Sequence, residues 1–354
     1  MINKPINILV VDDSILFCRF LMDSIPKLNP SFCVCGYAMN TTQALRAIES
    51  LKPDLITMDI EMPGESGLDF LKRLLPLHPI PVVLISSLNL NVFEALSHGA
   101  VDFLRKPDMS AENKKESFLR TLAGKLSIAS AARVRVPSAM PPAGSALART
   151  VRLPASSPVL DRTLIAIGAS TGGTEATLEV LRCLPENTPG IVVTQHMPEG
   201  FTAMYAQRLN RLCRMKVKEA VHGDRVMRGQ VLIAPGNLQM RVARVGNTYT
   251  VNCFPGEKVN GHRPSVDVLF DSVAATAGAD AVGIILTGMG ADGAKGLLKM
   301  KQAGAYTIGQ DKASCVVYGM PMAAYDMGAV AIQSSCSNIS NVLLNYLGKK
   351  AQKG

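Results

Sequence analysis

The sequence predicts an α/β chain in two parts: a (βα)5 unit, then a doubly wound, mostly parallel α/β domain carrying an antiparallel hairpin. Three observations predict it. Apolar runs rich in Val, Ile and Leu alternate with helix-period segments up to residue 131. Residues 132–160 break that pattern with five prolines and much Ala and Ser. Apolar runs of the same kind then resume near residue 164.

In the first part, strands are expected at 7–11, 33–39, 55–58, 82–86 and 100–104. Each run is rich in Val, Ile or Leu and lacks strict alternation, which fits a strand buried on both faces. Helical patterns follow at 14–26, 41–51, 66–75, 91–98 and 111–130, so residues 1–131 form one domain. Residues 132–160 hold no helix or strand period and read as a flexible linker, extended where Pro141 and Pro142 cluster. Residues 161–354 form the second domain, with strand-like runs at 164–167, 191–194, 231–234 and 282–287. Residues 239–253 alternate in polarity around Gly246-Asn247, a hairpin signal.

Composition narrows the class. Hydrophobic residues make up 47% and charged residues 18%, both globular values. No apolar run reaches the ~18–20 residues of a membrane span. Asp12 and Asp13 come too early for a signal peptide, so a cytoplasmic protein without membrane insertion is expected. The eight cysteines include no C-x-x-C pair, which argues against structural zinc or a disulfide framework. Residues 1–131 hold 13 Lys and Arg against 14 Asp and Glu, whereas residues 161–354 hold 20 against 14. The second half therefore favours anionic partners, but no basic stripe interleaved with aromatics suggests nucleic acid.

In an open parallel sheet the carboxyl ends of the strands gather on one edge, where ligands bind. Asp12 and Asp13 end the first expected strand and Asp59 the third; Ser86 ends the fourth, and Lys106 follows the fifth. Three carboxylates at close range need a cation, and an all-oxygen donor set suits Mg²⁺. Carboxylates, a hydroxyl and an ammonium on one edge suit phosphoryl transfer to a carboxylate. For Asp12 and Asp13 taken alone, helix capping explains as much.

The stretch IAIGASTGGTEATLEVL, residues 165–181, runs from an expected strand through a glycine-rich turn into a helix. A dinucleotide loop would need glycine at 170, where Ser170 stands. Gly168-Ala-Ser170-Thr-Gly172 matches G-x-S-x-G, the pattern of a serine nucleophile. A nucleophile needs a base, and His196 follows the expected strand 191–194; Asp292 follows the expected strand 282–287 and could orient it. The order Ser, His, Asp differs from that of the α/β-hydrolases. Each residue alone also has a plain structural reading: Ser170 and Asp292 as helix caps, His196 as a satisfied polar group.

Longer motifs add a resemblance. Val-Val-Asp-Asp-Ser at 10–14, Met-Asp-Ile-Glu-Met-Pro at 58–63 and Lys106-Pro107 resemble the flavodoxin-like receiver domain of two-component signalling. That resemblance implies Asp59 as phosphoacceptor, and Mg²⁺ held by Asp12, Asp13, Asp59 and the Glu61 backbone carbonyl. It also implies Ser86 as switch hydroxyl and Phe103 as switch aromatic. The segment 37–42 departs from it, since receivers usually carry a glycine-containing turn there. Ile-Gly-Ala-Ser-Thr-Gly-Gly, Gln-His-Met-Pro, residues 262–270, Ile-Leu-Thr-Gly-Met-Gly-Ala-Asp-Gly and residues 313–321 resemble the chemotaxis protein-glutamate methylesterase family, CheB. The resemblance implies Ser170 as nucleophile, His196 as base, Asp292 as its orienting group, the Met289 turn at the oxyanion hole and Thr171 beside the base. It implies demethylation of glutamate γ-methyl esters and deamidation of glutamines on methyl-accepting chemotaxis receptors. A chemotaxis histidine kinase would supply the phosphoryl group, and an unphosphorylated receiver would inhibit. Two other readings are a receiver-gated regulatory module with a structural Ser170, and a DNA-binding response regulator, for which no reader is visible.

Overall fold

The computed structural model describes residues 5–86, 91–134 and 153–353. The chain divides into two compact units, Met1–Met140 and Pro141–Gly354. Most of the expected linker, residues 135–152, lies outside the described residues.

In the first unit β1 (Ile6–Val11), α1 (Ile15–Leu28), β2 (Phe32–Ala38), α2 (Thr41–Leu51), β3 (Leu55–Met58), α3 (Gly67–Leu74), β4 (Val82–Ser86), α4 (Asn91–Ser97), β5 (Asp102–Arg105) and α5 (Glu112–Ser130) alternate as expected. The described residues form a parallel sheet in the order β2-β1-β3-β4-β5. The order reverses at β1, so the ends of β1 and β3 open the crevice in which such sheets bind ligands. The helix patterns have direct physical causes. Ser14 caps α1 by accepting from Phe17 N–H, and Phe17, Cys18, Leu21 and Ile25 form its buried face.

The second unit runs α6 (Pro158–Asp161), β6 (Leu164–Ala169), α7 (Gly173–Leu181), β7 (Gly190–Gln195), α8 (Phe201–Leu212), β8 (Lys216–Glu219), β9 (Arg225–Val226), β10 (Gln230–Ile233), β11 (Gln239–Val245) and β12 (Thr248–Phe254). It continues through α9 (Val266–Ala277), β13 (Ala281–Ile285), α10 (Ala294–Gln302), β14 (Tyr306–Gln310), α11 (Met320–Asp326), β15 (Ile332–Ser334) and α12 (Cys336–Lys353). The parallel sheet has the order β15-β14-β13-β6-β7-β10-β8, and β11-β12-β9 form a separate antiparallel sheet. The hairpin turns at Gly246-Asn247, with Val245 opposite Thr248. It shares a core with α9: Met240, Val242 and Val251 are buried with Val266, Leu269 and Phe270. Ser272 Oγ accepts the Val242 N–H at 2.9 Å, which fixes the hairpin to α9.

The end of the stretch read as linker is structured. Leu153 and Leu160 are buried, Ser157 caps α6, and the carbonyls of Leu153 and Pro154 accept hydrogen bonds from Asn187 and Arg228. Two apolar anchors and these captured carbonyls outweigh the proline-rich composition. No helix among the described residues is long and apolar enough to cross a membrane.

Candidate functional site

The first unit gathers its expected groups at the carboxyl ends of β1, β3, β4 and β5. Asp12, Asp13 and Asp59 each place a carboxylate oxygen within 4.8 Å of the others. Asp12 is 1% exposed and Asp59 4%. Lys106 Nζ bridges Asp12 Oδ2 at 2.8 Å and Asp59 Oδ2 at 2.5 Å. Burial pushes the Asp12 carboxyl above its usual range, partly offset by its bond to Lys106. Burial alone would lower the Lys106 ammonium, but Asp12 and Asp59 hold it above the usual lysine range. Ser14 N–H donates to Asp12 Oδ1, so the capping residue of α1 is Ser14 and both Asp12 oxygens are engaged. Glu61 N–H donates to Asp59 Oδ1 at 3.1 Å, which places that backbone at the same edge.

Ser86 is fully buried, and among the described residues its hydroxyl has no hydrogen-bond partner. A buried unsatisfied hydroxyl is costly and calls for a reason, and a ligand oxygen supplies one. Phe103 is 5% exposed, stacks edge-on against Phe93 at 6.2 Å and lies under Lys125 Nζ at 5.8 Å. The carboxylate cluster, all oxygen and partly buried, fits a magnesium ion.

The second unit brings Ser170, His196 and Asp292 to one rim. β6 lies between β13 and β7 in the parallel sheet, with Ala169 opposite Gln195 and Gly168 opposite Ile285. The next residues, Ser170 and His196, therefore leave adjacent strands at the same level, and His196 N–H donates to Ala169 O at 3.1 Å. His196 Nε2 bonds Asp292 Oδ2 at 2.8 Å. Neither capping reading describes these residues: the caps of α7 and α10 are Gly172 and Gly293.

The Asp292 carboxylate instead sits at the N-terminus of α9, where free N–H groups and the helix dipole favour an anion. Oδ2 accepts from Val266 N–H at 2.7 Å; Oδ1 accepts from Ser265 Oγ at 2.8 Å and from Asp267 N–H at 3.2 Å. Asn260 Nδ2 donates to Oδ1 at 2.7 Å. Burial would raise this carboxyl, but the bonds from His196, Asn260 and Val266 outweigh it and hold Asp292 well below the usual carboxylate range. An ionised Asp292 accepts the Nε2 proton, which leaves Nδ1 with its lone pair. That nitrogen is buried and, among the described residues, has no hydrogen-bond partner. Among the described residues the Ser170 hydroxyl makes no hydrogen bond either, so the Ser–His contact is open here. Such contacts often tighten only once substrate is bound.

The turn around Ser170 is narrow. Gly172 has φ +75°, and a Cβ there would lie 2.6 Å from Val316 Cβ. A Cβ on Gly288 would lie 2.7 Å from Ser170 Cβ and 2.3 Å from Met320 Sδ. The backbone leading into Met289 thus runs directly against the serine, while the Met289 side chain is 47% exposed. Thr171 is buried, and its carbonyl accepts from Thr287 Oγ1 at 3.0 Å.

Several residues at the site carry no role in the sequence reading. Gln195 Nε2 donates to Ser170 O at 2.8 Å and so ties the two strand ends together. His262 stacks on the His196 ring with centroids 3.6 Å apart and planes 8° from parallel. Ser265 and Asn260 complete the Asp292 seat. For Asn260 the advance signal is Asn260-Gly261 itself: that dipeptide marks a tight turn, though not a contact with a distant carboxylate.

Comparison with known proteins gives concordant matches. The CheB methylesterase family model matches residues 165–343, and the response regulator receiver domain model matches residues 8–115. Protein-glutamate methylesterase/protein-glutamine glutaminase 2 of Syntrophomonas wolfei is 51% identical over 351 residues, covering 99% of this chain and 98% of its own. The corresponding protein of Syntrophotalea carbinolica is 44% identical, covering 98% of this chain and 99% of its own. The crystal structure of the Thermotoga maritima CheB methylesterase catalytic domain is 37% identical with a TM-score of 0.51, covering 52% of this chain and 98% of that domain.

Proposed function

The chain belongs to the CheB methylesterase family and is a protein-glutamate methylesterase and protein-glutamine glutaminase of chemotaxis with a receiver domain; from that premise we propose that Ser170, His196 and Asp292 carry the hydrolysis. The observation that carries this reading is the 2.8 Å bond from His196 Nε2 to a buried Asp292, one strand from Ser170. Ser170 Oγ attacks the carbonyl of a glutamate γ-methyl ester while His196 Nδ1 takes its proton. Asp292 keeps the imidazole in that tautomer and stabilises the imidazolium. Backbone N–H groups of the Met289 turn, pressed against Ser170, receive the oxyanion, with Thr171 beside the base. His196 then returns the proton to the leaving methanol. Water, activated by the same nitrogen, releases a glutamate carboxylate and frees Ser170. A glutamine side chain follows the same course with ammonia leaving. The substrates are methyl-accepting chemotaxis receptors.

In the receiver domain, Asp59 is the phosphoacceptor, and a chemotaxis histidine kinase is the donor. Asp12, Asp13, Asp59 and the Glu61 carbonyl would hold Mg²⁺, which when bound neutralises charge on the transferred group. Lys106 supplies a second positive charge, and Ser86 donates its hydroxyl to a phosphoryl oxygen. Buried Phe103 is the aromatic whose packing changes with that state. The proposed domain division is a receiver at 1–131 and a catalytic domain at 161–354 joined by 132–160, whose last residues pack on the catalytic domain, and the enzyme works in the cytoplasm. Phosphorylation of Asp59 raises the hydrolytic rate.

The test is methanol release from methyl-esterified receptor, with and without a small phosphodonor and Mg²⁺. Release by the wild type should rise with the donor. Asp59→Asn should take up no label and show no rise. Undiminished labelling of Asp59→Asn would remove Asp59 as the acceptor. Absence of methanol from the wild type under both conditions would remove the esterase reading.

A further inference from the structure

The Asp292 seat contains a donor that does more than close a turn. Val259 N–H donates to His262 O at 3.0 Å, and His262 N–H donates to Val259 O at 2.9 Å. Asn260 and Gly261 form the two-residue turn between them, with φ of +53° and +82°. Positive φ at both central positions is what Asn-Gly turns provide. A turn needs the backbone only, yet the Asn260 side chain reaches inward. Nδ2 lies 2.7 Å from Asp292 Oδ1 and 2.7 Å from Asp267 Oδ2. Both carboxylates are buried, at 2% and 7% exposure.

A primary amide nitrogen has two N–H bonds and no acceptor. Here each serves one carboxylate. Asp267 Oδ1 is already taken by Gly296 N–H at 2.7 Å. Without the amide, Asp267 Oδ2 and Asp292 Oδ1 would face each other across its place, and like charges at short range destabilise one another. The cheapest relief is rotation of the Asp292 carboxylate, which also carries Oδ2 away from His196. The turn is held from the hairpin side as well: Gln239 Nε2 donates to Glu257 O at 2.9 Å and His262 O at 3.2 Å, and Gln239 Oε1 accepts Ser265 N–H at 2.9 Å. The antiparallel insertion thereby fixes the segment that supplies Asn260 and His262.

We propose that Asn260 is a positioning residue for hydrolysis, its amide bridging Asp267 and Asp292 so that Asp292 Oδ2 stays aligned on His196. The proposal rests on His196 as base and Asp292 as its orienting group. Two variants keep the turn. Asn260→Gly preserves the left-handed backbone and removes the amide. Asn260→Asp preserves shape and turn chemistry but sets a third carboxyl between the other two.

The experiment measures kcat and KM for methanol release from methyl-esterified receptor by the full chain. It also records ring ¹⁵N shifts of His196 in histidine-labelled protein, assigned by their loss in His196→Gln. Both Asn260 variants should lower kcat by about 10-fold or more, the factor carried by one hydrogen bond to a buried charge. KM should stay within about twofold, since substrate binding is not addressed. The His196 Nε2 shift should move in both. An unchanged kcat would overturn the proposal, as would a fall in kcat with the His196 shifts unmoved. Wild-type release is the internal control: its failure removes the esterase reading, whereas wild-type release with undiminished variants removes only the role of Asn260.

Discussion

Ser170→Ala should abolish methanol release to within the residual left by substrate binding and oxyanion stabilisation. Removing the nucleophile of a Ser-His-Asp set costs about 10⁶ in kcat, with a residual of about 10³–10⁴ over water. The fold should be untouched. Among the described residues the Ser170 hydroxyl makes no hydrogen bond, and its backbone N–H and carbonyl remain bonded to Thr287 O, Gly173 N–H and Gln195 Nε2. Alanine removes one oxygen from a half-buried position and adds nothing to a turn that Gly172 and Gly288 already fill. Thermal unfolding should therefore match the wild type while methanol and ammonia release both collapse. The two activities should fall together if ester and amide share the proposed nucleophile. Persistence of either would break the common mechanism.

Asp292→Asn should lower kcat by about 10⁴, the loss seen when the orienting carboxylate of such a triad becomes an amide. The reason is specific to this seat. Among the described residues all five partners of the carboxylate are donors: His196, Val266 and Asp267 N–H, Ser265 Oγ and Asn260 Nδ2. An amide turns one oxygen into an N–H₂ group. If that group faces His196, the imidazole must accept at Nε2 and carry its proton on Nδ1, where it cannot serve as base. If it faces the other way, it meets Asn260 and Asp267 N–H. Either orientation leaves donor against donor in a buried site. The same seat gives a pH dependence of stability. Asp292 is held below its unfolded pKa of about 4. Its contribution is present above that value and is lost as pH falls below it. Urea unfolding followed from pH 7 to pH 3 should show a steeper acid loss in the wild type than in Asp292→Asn.

The expected strands of both units were legible wherever burial on both faces made an uninterrupted apolar run. β1, β3, β4, β6, β7, β10 and β13 sit at or within a residue or two of where those runs fall. The same rule hides β8 and β15. Lys216-Val-Lys-Glu219 and Ile332-Gln-Ser334 lie at the two edges of the sheet, where charge and shortness protect an open strand. β14 carries Gly309 and polar residues on both sides, so its run is too weak to see. At the site, Ser170, His196 and Asp292 were legible because parallel strands deliver their next residues to one edge, a relation that spacing alone encodes. The Asp292 seat was not. Asn260, Ser265 and Val266 approach Asp292 through packing of α9 on β6 and α10, made close by Gly168 and Gly296, at which a Cβ would strike Val266 and Phe270. No periodicity announces that contact. Likewise, Gln195 reads as the end of a strand, and only the register with Ala169 aims its amide at the Ser170 carbonyl.

The most direct measurement concerns the proposed acyl-Ser170 intermediate. Hydroxylamine added during turnover competes with water for an acyl-enzyme and yields glutamyl hydroxamate at the receptor position. Ester and amide forms of the same receptor site would pass through one intermediate. The ratio of hydroxamate to glutamate, read by mass spectrometry, should then be the same from both substrates and independent of the leaving group. It should vanish to background in Ser170→Ala. A ratio that differs between ester and amide, or hydroxamate that forms equally well in Ser170→Ala, would contradict a Ser170 acyl-enzyme.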